Sequence, residues 1–155
     1  MYLDTSVAAK LYFNEPESDR VTTILAESGS TLVSSELLIA EFHSVASRKL
    51  REGLVTRRQR KEAIDAFLAH DQSGSWHLYP VTRETFVAAG ELLEKLSGSI
   101  GLKTLDAIHL ATCMRHSLFP LFTTDRIMLS AARRLKIEIA AGIEEVGIAN
   151  LVKGS

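Results

Sequence analysis

Three aspartates stand at places where the sequence predicts that a helix begins. Asp4 and Asp125 each follow a short apolar run and precede a helical segment, and Asp106 lies in the first turn of another predicted helix. In a parallel α/β sheet, the carboxyl ends of the strands and the N-termini of the following helices share one edge, where ligands usually bind. We therefore expect Asp4 and Asp125 to meet at one rim of a sheet, with Asp106 close enough to join them.

A fourth acid, Glu41, occupies an apolar stripe of a predicted helix. Its neighbours one turn away include Leu37, Leu38 and Val45, and residues at this spacing share a helix face. A buried carboxylate costs several kcal/mol unless it is paired or bound to a metal. The same helix has no basic residue one turn from Glu41, so the sequence leaves two interpretations: an ion pair with another element, or a metal-linked role.

The aspartates also have a purely structural interpretation. An aspartate at a helix N-terminus commonly caps it, a contribution of about 0.5–2 kcal/mol. Carboxylates that lie within a few ångströms of one another, in contrast, raise one another's pKa or require a cation. Thr5 and Thr123 fit either interpretation, because their hydroxyls can form caps and turns or can position a water or a carboxylate.

A site built from carboxylates and hydroxyls offers only oxygen ligands. Such ligands suit Mg²⁺ or Mn²⁺, whereas zinc prefers nitrogen and sulfur. Metal sites of this kind activate water and stabilise charge on a phosphoryl group. The chemistry indicated is therefore hydrolysis of a phosphodiester or a phosphate ester.

The elements that must position these residues alternate between short apolar runs and longer amphipathic segments. We predict strands at residues 2–3, 31–33, 76–81, 118–122, 137–139 and 146–148, and helices at 7–13, 17–27, 36–52, 56–73, 83–96, 105–116 and 127–135. We expect Ser34 and Ser35, Thr56, and Thr104 to cap the helices that follow them. Strands that alternate with helices indicate an α/β domain with a mostly parallel sheet.

Composition restricts the class of protein. The chain has 155 residues, of which 46% are hydrophobic and 24% charged, with a formal net charge of −1. These values indicate one globular domain over residues 1–155 and exclude both a disordered chain and a globally basic nucleic-acid coat. The single cysteine, Cys113, cannot form an internal disulfide, and no segment is apolar enough to span a membrane. We expect a soluble, cytoplasmic protein.

Residues 48–61 form a locally basic segment, with seven basic residues and one acidic residue. One interpretation is a phosphate-attracting surface that offsets an acidic pocket. The other is a solvated helix end, where lysine and arginine are favoured by the helix dipole. The sequence is compatible with both.

Four segments together resemble the acidic motifs of PIN-domain ribonucleases, and more narrowly the VapC-type toxins of virulence-associated BC toxin–antitoxin modules. They are YLDTSVAAKLY, SSELLIAEFHSVASRKL, LDAIHLATC and FTTDRIMLSAARRL, in this order, and the similarity extends from residue 1 to about residue 139. The departures are a very short first strand, Lys136 where many relatives have a small residue, and Cys113 where alanine is frequent. None of these departures affects the acidic residues.

The resemblance implies a fold, a site and an activity. The fold would be a three-layer PIN-like α/β domain, with a central, mostly parallel sheet of about five strands flanked by helices. Asp4, Glu41, Asp106 and Asp125 would be the catalytic acids around Mg²⁺ or Mn²⁺, and Asp4, Asp106 and Asp125 would bind the metal. The activity would be endonucleolytic cleavage of RNA by the toxin of a type II toxin–antitoxin system, inhibited by a cognate antitoxin, in a homodimer.

Two alternatives within the family stay open from the sequence: a housekeeping RNA-processing nuclease, and an inactive module that only binds RNA or protein. His109 follows Asp106 by three residues. We expect it to have a packing or orienting role and leave it out of the catalytic set.

Overall fold

The structure, a computed structural model, describes residues 1–141. Strands and helices alternate along these residues as the sequence predicts. In chain order they are β1 (Tyr2–Leu3), α1 (Thr5–Lys10), α2 (Ser18–Ser28), β2 (Leu32–Ser35), α3 (Leu37–Arg51), α4 (Arg57–Gln72), β3 (Trp76–Tyr79), α5 (Arg83–Leu96), α6 (Thr104–Arg115), β4 (Leu121–Phe122) and α7 (Arg126–Arg134).

The four strands form one parallel sheet in the order β3-β2-β1-β4. At the centre, Tyr2 of β1 pairs with Val33 of β2 on one side and with Leu121 of β4 on the other. Because all strands are parallel, their carboxyl ends meet at one edge of the sheet. The residues that directly follow β1 and β4, Asp4 and Thr123, therefore lie side by side at this edge.

The predicted sheet of about five strands is reduced to four strands and a single bridge. Ile139, which belongs to none of the four strands, forms an isolated parallel bridge with Leu121 of β4. The predicted strand at 137–139 is short because its first residue is still held by the preceding helix, through the bond from Ile137 N to Ala132 O. In this segment, only Glu138 and Ala140 form backbone hydrogen bonds with Leu121: the carbonyl of Glu138 accepts from Leu121 N, and Ala140 N donates to the carbonyl of Leu121. The predicted strand at 146–148 lies outside the described residues.

Some predicted helix caps are wrong. Ser34 and Ser35 belong to β2 rather than to a helix N-terminus, because β2 pairs with β3 as far as Ser35 and Tyr79. The buried hydroxyl of Ser34 donates to the carbonyl of Leu3 at 2.7 Å, which ties β2 to β1.

Two further caps can be compared directly. Thr104 lies inside α6, whose N-cap position is Lys103. Thr56, in contrast, caps α4 as predicted, in a capping box with Gln59.

The core is divided between the two faces of the sheet. Successive residues of a strand point to opposite faces: Leu3 and Phe122 belong to one buried cluster and Tyr2 and Leu121 to the other. The first cluster packs against residues of α1 to α4, and the second against residues of α5, α6 and most of α7. The described residues therefore have the predicted three layers. No helix among them is long and apolar enough to cross a bilayer.

Candidate active site

Asp4 lies at the centre of the carboxyl edge of the sheet, between β1 and α1. Its Oδ1 accepts hydrogen bonds from Val7 N at 3.2 Å and Ser6 Oγ at 2.8 Å, and its Oδ2 accepts one from Thr123 Oγ1 at 2.8 Å. Burial raises the pKa of Asp4, and the nearby charge of His109 and these hydrogen bonds only partly oppose the rise. Asp4 is therefore a helix cap, as the structural interpretation holds, and also a buried acid whose charge is poorly compensated.

Glu41 has its partner on another element, α6. His109 Nε2 lies 2.6 Å from Glu41 Oε2, and Thr5 Oγ1 donates to the same oxygen at 2.5 Å. His109 is 2% exposed, and its Nδ1 lies 2.7 Å from the Tyr2 hydroxyl. Burial raises the pKa of Glu41, but the hydrogen bond and charge of His109 outweigh it, so that the pKa lies below its ordinary value. Glu41 is consequently held in its ionised form and in a fixed orientation.

Asp106 and Asp125 face each other from the first turn of α6 and the N-terminus of α7. Burial raises the pKa of Asp106, and the negative charge of Asp125 raises it further. Asp125 caps α7, since its Oδ1 accepts from Ile127 N at 2.8 Å and Met128 N at 2.9 Å. The effect of Asp125 on Asp106 is the one expected for acids gathered at a site that favours a cation.

Hydroxyl groups join the two strand ends that carry Asp4 and Asp125. Thr123 Oγ1 donates to Asp4 and accepts from Asp125 N at 3.0 Å. Ser6 Oγ accepts from both the backbone N and the hydroxyl of Thr124, each at 3.0 Å. These bonds fix the β1–α1 junction against the β4–α7 junction, so the positions of the two aspartates are coupled.

One cavity of about 710 Å³ opens at this edge of the sheet and is lined by all four predicted acids. Thr5 and His109 also line it, whereas Thr123, which is fully buried, lies behind Asp4 and orients that carboxylate. Among residues 1–141, no three carboxylate, histidine or cysteine side chains are close enough to enclose a metal ion by themselves. The donor set fits Mg²⁺, because this ion usually keeps several waters and needs only one or two carboxylates.

His109 is the site residue whose contacts the sequence did not specify. The orienting role expected for it agrees with its contacts to Tyr2 and Glu41. A signal was present: Glu41 needs a partner from outside its own helix, and His109 shares a helix face with Asp106. Choosing His109 over the other basic residues required knowing that α6 packs beside β2, where His109 reaches Glu41.

Comparisons with known proteins show the family of the chain. The family model for the PIN domain matches residues 1–134. The chain is 36% identical over 143 residues to "Ribonuclease VapC46" of Mycobacterium tuberculosis, covering 91% of this chain and 96% of that protein.

A solved structure with the same fold is that of Mycobacterium tuberculosis VapC20, described as a sarcin–ricin loop cleaving toxin. It superposes with a TM-score of 0.68 at 18% identity, covering 84% of this chain and 93% of that one. From the family match and the 36% identical relative, the chain belongs to the PIN-domain family, among the VapC ribonucleases.

Proposed function

We propose that this protein is a divalent-metal-dependent endoribonuclease that acts as the toxin of a type II toxin–antitoxin system. The observation that carries the proposal is the cavity at the carboxyl edge of the sheet, where acids from four separate elements converge. The relative named as a ribonuclease, which is similar over 91% of this chain, supports RNA as the substrate.

Asp4, Asp106 and Asp125 would hold the metal, Mg²⁺ or Mn²⁺, with one or two of them as direct ligands and the rest acting through water. The raised pKa values of Asp4 and Asp106 support this assignment. Burial disfavours the charged form of both carboxylates, and a bound cation would compensate that charge. When bound, the cation would polarise a water molecule and neutralise charge on the phosphoryl group.

The chain's own residues would manage the proton and the orientation. Glu41, with its lowered pKa, is ionised near neutral pH and can accept a proton from the attacking water. Thr5 and His109 fix the carboxylate of Glu41 from two directions, and Thr123 fixes that of Asp4. The substrate therefore meets oriented groups that need little rearrangement.

The proposed setting includes a cognate antitoxin that inhibits the nuclease, a homodimer, and the cytoplasm. The VapC relatives support the antitoxin and the RNA substrate. The lone buried thiol of Cys113, which burial gives a pKa of about 12, is compatible with a reducing compartment.

Cleavage of RNA by the purified protein tests the proposal. The wild type should cut RNA with Mg²⁺ or Mn²⁺ and stop when a chelator is added. Asp4→Asn and Asp106→Asn should abolish cutting while circular dichroism shows folded protein. Asp19→Asn, which changes an exposed aspartate in the first turn of α2, is the matched control and should retain activity.

Expression in bacteria separates the toxin from the alternatives. Arrest of growth by the wild type but not by Asp106→Asn supports a toxin. RNA cleavage without growth arrest would indicate a processing nuclease, and RNA binding without metal-dependent cleavage would indicate an inactive module.

A further inference from the structure

The basic segment at residues 48–61 is mostly occupied by local interactions. Four of its seven basic residues have polar partners within the described chain: Lys49 with Glu15, Arg58 with Glu62, Lys61 with Asp65, and Arg60 with Ser47. Three of these contacts are ion pairs, and the contact of Arg60 with a serine leaves its charge uncancelled. The positive charge of the segment is therefore reduced, and the position of each residue relative to the cavity decides which of them can meet a substrate there.

Arg48 is the one residue of this segment that lines the active-site cavity. It lies on α3, seven residues after Glu41, with the cavity-lining Ser44 between them. This spacing is two helical turns, so Arg48 is about 10 Å along the helix axis from Glu41 and on the same face. Its side chain is exposed and makes no hydrogen bond or ion pair with the residues that the structure describes.

Lys10 also lines this end of the cavity but is differently engaged. Its Nζ lies 3.2 Å from Glu15 Oε2 and 3.6 Å from Glu17 Oε2, and Lys49 binds the other carboxylate oxygen of Glu15. Two lysines and two glutamates cancel in charge. The net positive charge at this end therefore comes from Arg48.

A second cation lies beyond the carboxylates on α6. Lys103 is one turn before Asp106, lines the same cavity and is exposed. Its charge lowers the pKa of Asp106, although burial and Asp125 keep that pKa raised overall. Arg48 thus lies two turns after Glu41 on α3, and Lys103, the N-cap of α6, lies one turn before Asp106.

We propose that Arg48 and Lys103 bind phosphates of the RNA that neighbour the phosphate that is cleaved. The inference rests on the proposed function, because the acids that line the same cavity would act on the scissile phosphate. Arg48 is displaced by about 10 Å along α3 from Glu41, and we assign it to a neighbouring phosphate. Cations on two different elements of the cavity favour a strand that continues past the cleaved phosphate, which agrees with endonucleolytic cleavage.

The cations also solve an electrostatic problem. An acidic cavity repels the RNA backbone, and the formal charge of the chain, −1, gives no general attraction. Each phosphate contact on a single strand releases counterions and contributes about 0.7 to the slope of log K against log salt. At about 0.1 M salt, one such contact is therefore worth about fivefold in affinity.

Salt-dependent RNA binding tests this inference. The probe is a fluorescein-labelled 20-nucleotide RNA of randomised sequence, bound with a chelator present so that it is not cut, and followed by anisotropy at several salt concentrations. Arg48→Gln and Lys103→Gln should each weaken binding about fivefold and reduce the slope by about 0.7. Arg57→Gln, from the same basic segment and exposed but outside the cavity, should stay within twofold of the wild type.

The outcomes separate the two proposals. If Arg48→Gln and Lys103→Gln match Arg57→Gln while the wild type cuts RNA with metal, the phosphate assignment is wrong and the nuclease stands. If the wild type neither binds nor cuts RNA, both proposals fall. With metal present, Arg48→Gln and Lys103→Gln should each have a higher KM for RNA than the wild type, with a kcat close to that of the wild type.

Discussion

Removing His109 should release Glu41 and the buried hydroxyl of Tyr2, and the cost can be worked out from their contacts. His109 Nε2 is 2.6 Å from Glu41 Oε2, and His109 Nδ1 is 2.7 Å from the Tyr2 hydroxyl, in a region where Tyr2 is fully buried. A hydrogen bond to a charged group contributes about 1.5–3 kcal/mol, and loss of the bond from the Tyr2 hydroxyl, which Ser35 and Ser34 can still partner, costs about 1 kcal/mol. We expect His109→Leu to lower the free energy of unfolding by about 2–4 kcal/mol.

A double-mutant cycle isolates the contribution of the bond between Tyr2 and His109. Tyr2→Phe alone removes this hydrogen bond and should cost about 1 kcal/mol. In the Tyr2→Phe background the bond is already absent, so His109→Leu should cost less, with a coupling energy of about 1 kcal/mol. Urea unfolding of the wild type, both single variants and the double variant measures it.

The same change should alter catalysis through Glu41. Without His109, the pKa of Glu41 rises because burial is no longer opposed by the histidine. The acid side of the pH profile of RNA cleavage should therefore move to higher pH in His109→Leu. His109→Gln, which keeps an N–H donor, should restore part of the activity, and Tyr2→Phe should keep most of it. Additive unfolding energies would refute the coupling between Tyr2 and His109, and an unchanged pH profile in His109→Leu would refute this account of Glu41.

Three further changes have definite signs. Asp106→Asn removes a half-buried charge that is repelled by Asp125, so without metal it should stabilise the protein by about 0.5 kcal/mol at about pH 7. Thermal melts should show this gain vanish at acid pH, where the wild-type acid is protonated. Lys136→Gly relieves a φ of +58° and should raise stability by about 1 kcal/mol in urea unfolding. Burial raises the pKa of Glu15, but Lys49 and Lys10 lower it below its ordinary value of 4.5. The wild type should therefore be more stable than Glu15→Gln by the full amount above pH 4.5. Unfolding measured against pH should show this difference disappear as the pH falls through the lowered pKa of Glu15.

The convergence of the acids could be expected from the sequence because topology leaves little freedom. Asp4 directly follows the first strand, and parallel strands place such residues at one edge. The apolar stripe around Glu41 also showed that this carboxylate needs a partner from elsewhere. Both arguments need only the hydrophobic periodicity of the sequence and the general rule that parallel strands are joined by right-handed connections.

Side-chain partners across elements were beyond the sequence because they depend on packing. Serine is a preferred residue type at helix N-caps, yet strand pairing places both Ser34 and Ser35 in β2. Likewise, the basic segment looks uniform in sequence, but Lys49 is buried beside Glu15 whereas Arg48, its neighbour, is exposed at the cavity. Adjacent residues of one helix point in different directions, so only the position of α3 against α1 distinguishes them.

The most direct test of the central claim is a crystal of the protein soaked in Mn²⁺ and examined by anomalous difference density. We predict density in the cavity lined by Asp4, Asp106 and Asp125, and its loss in crystals of Asp106→Asn. An empty cavity at saturating Mn²⁺, with the aspartates serving only as caps of their own helices, would contradict the claim that these acids form the metal site of a nuclease.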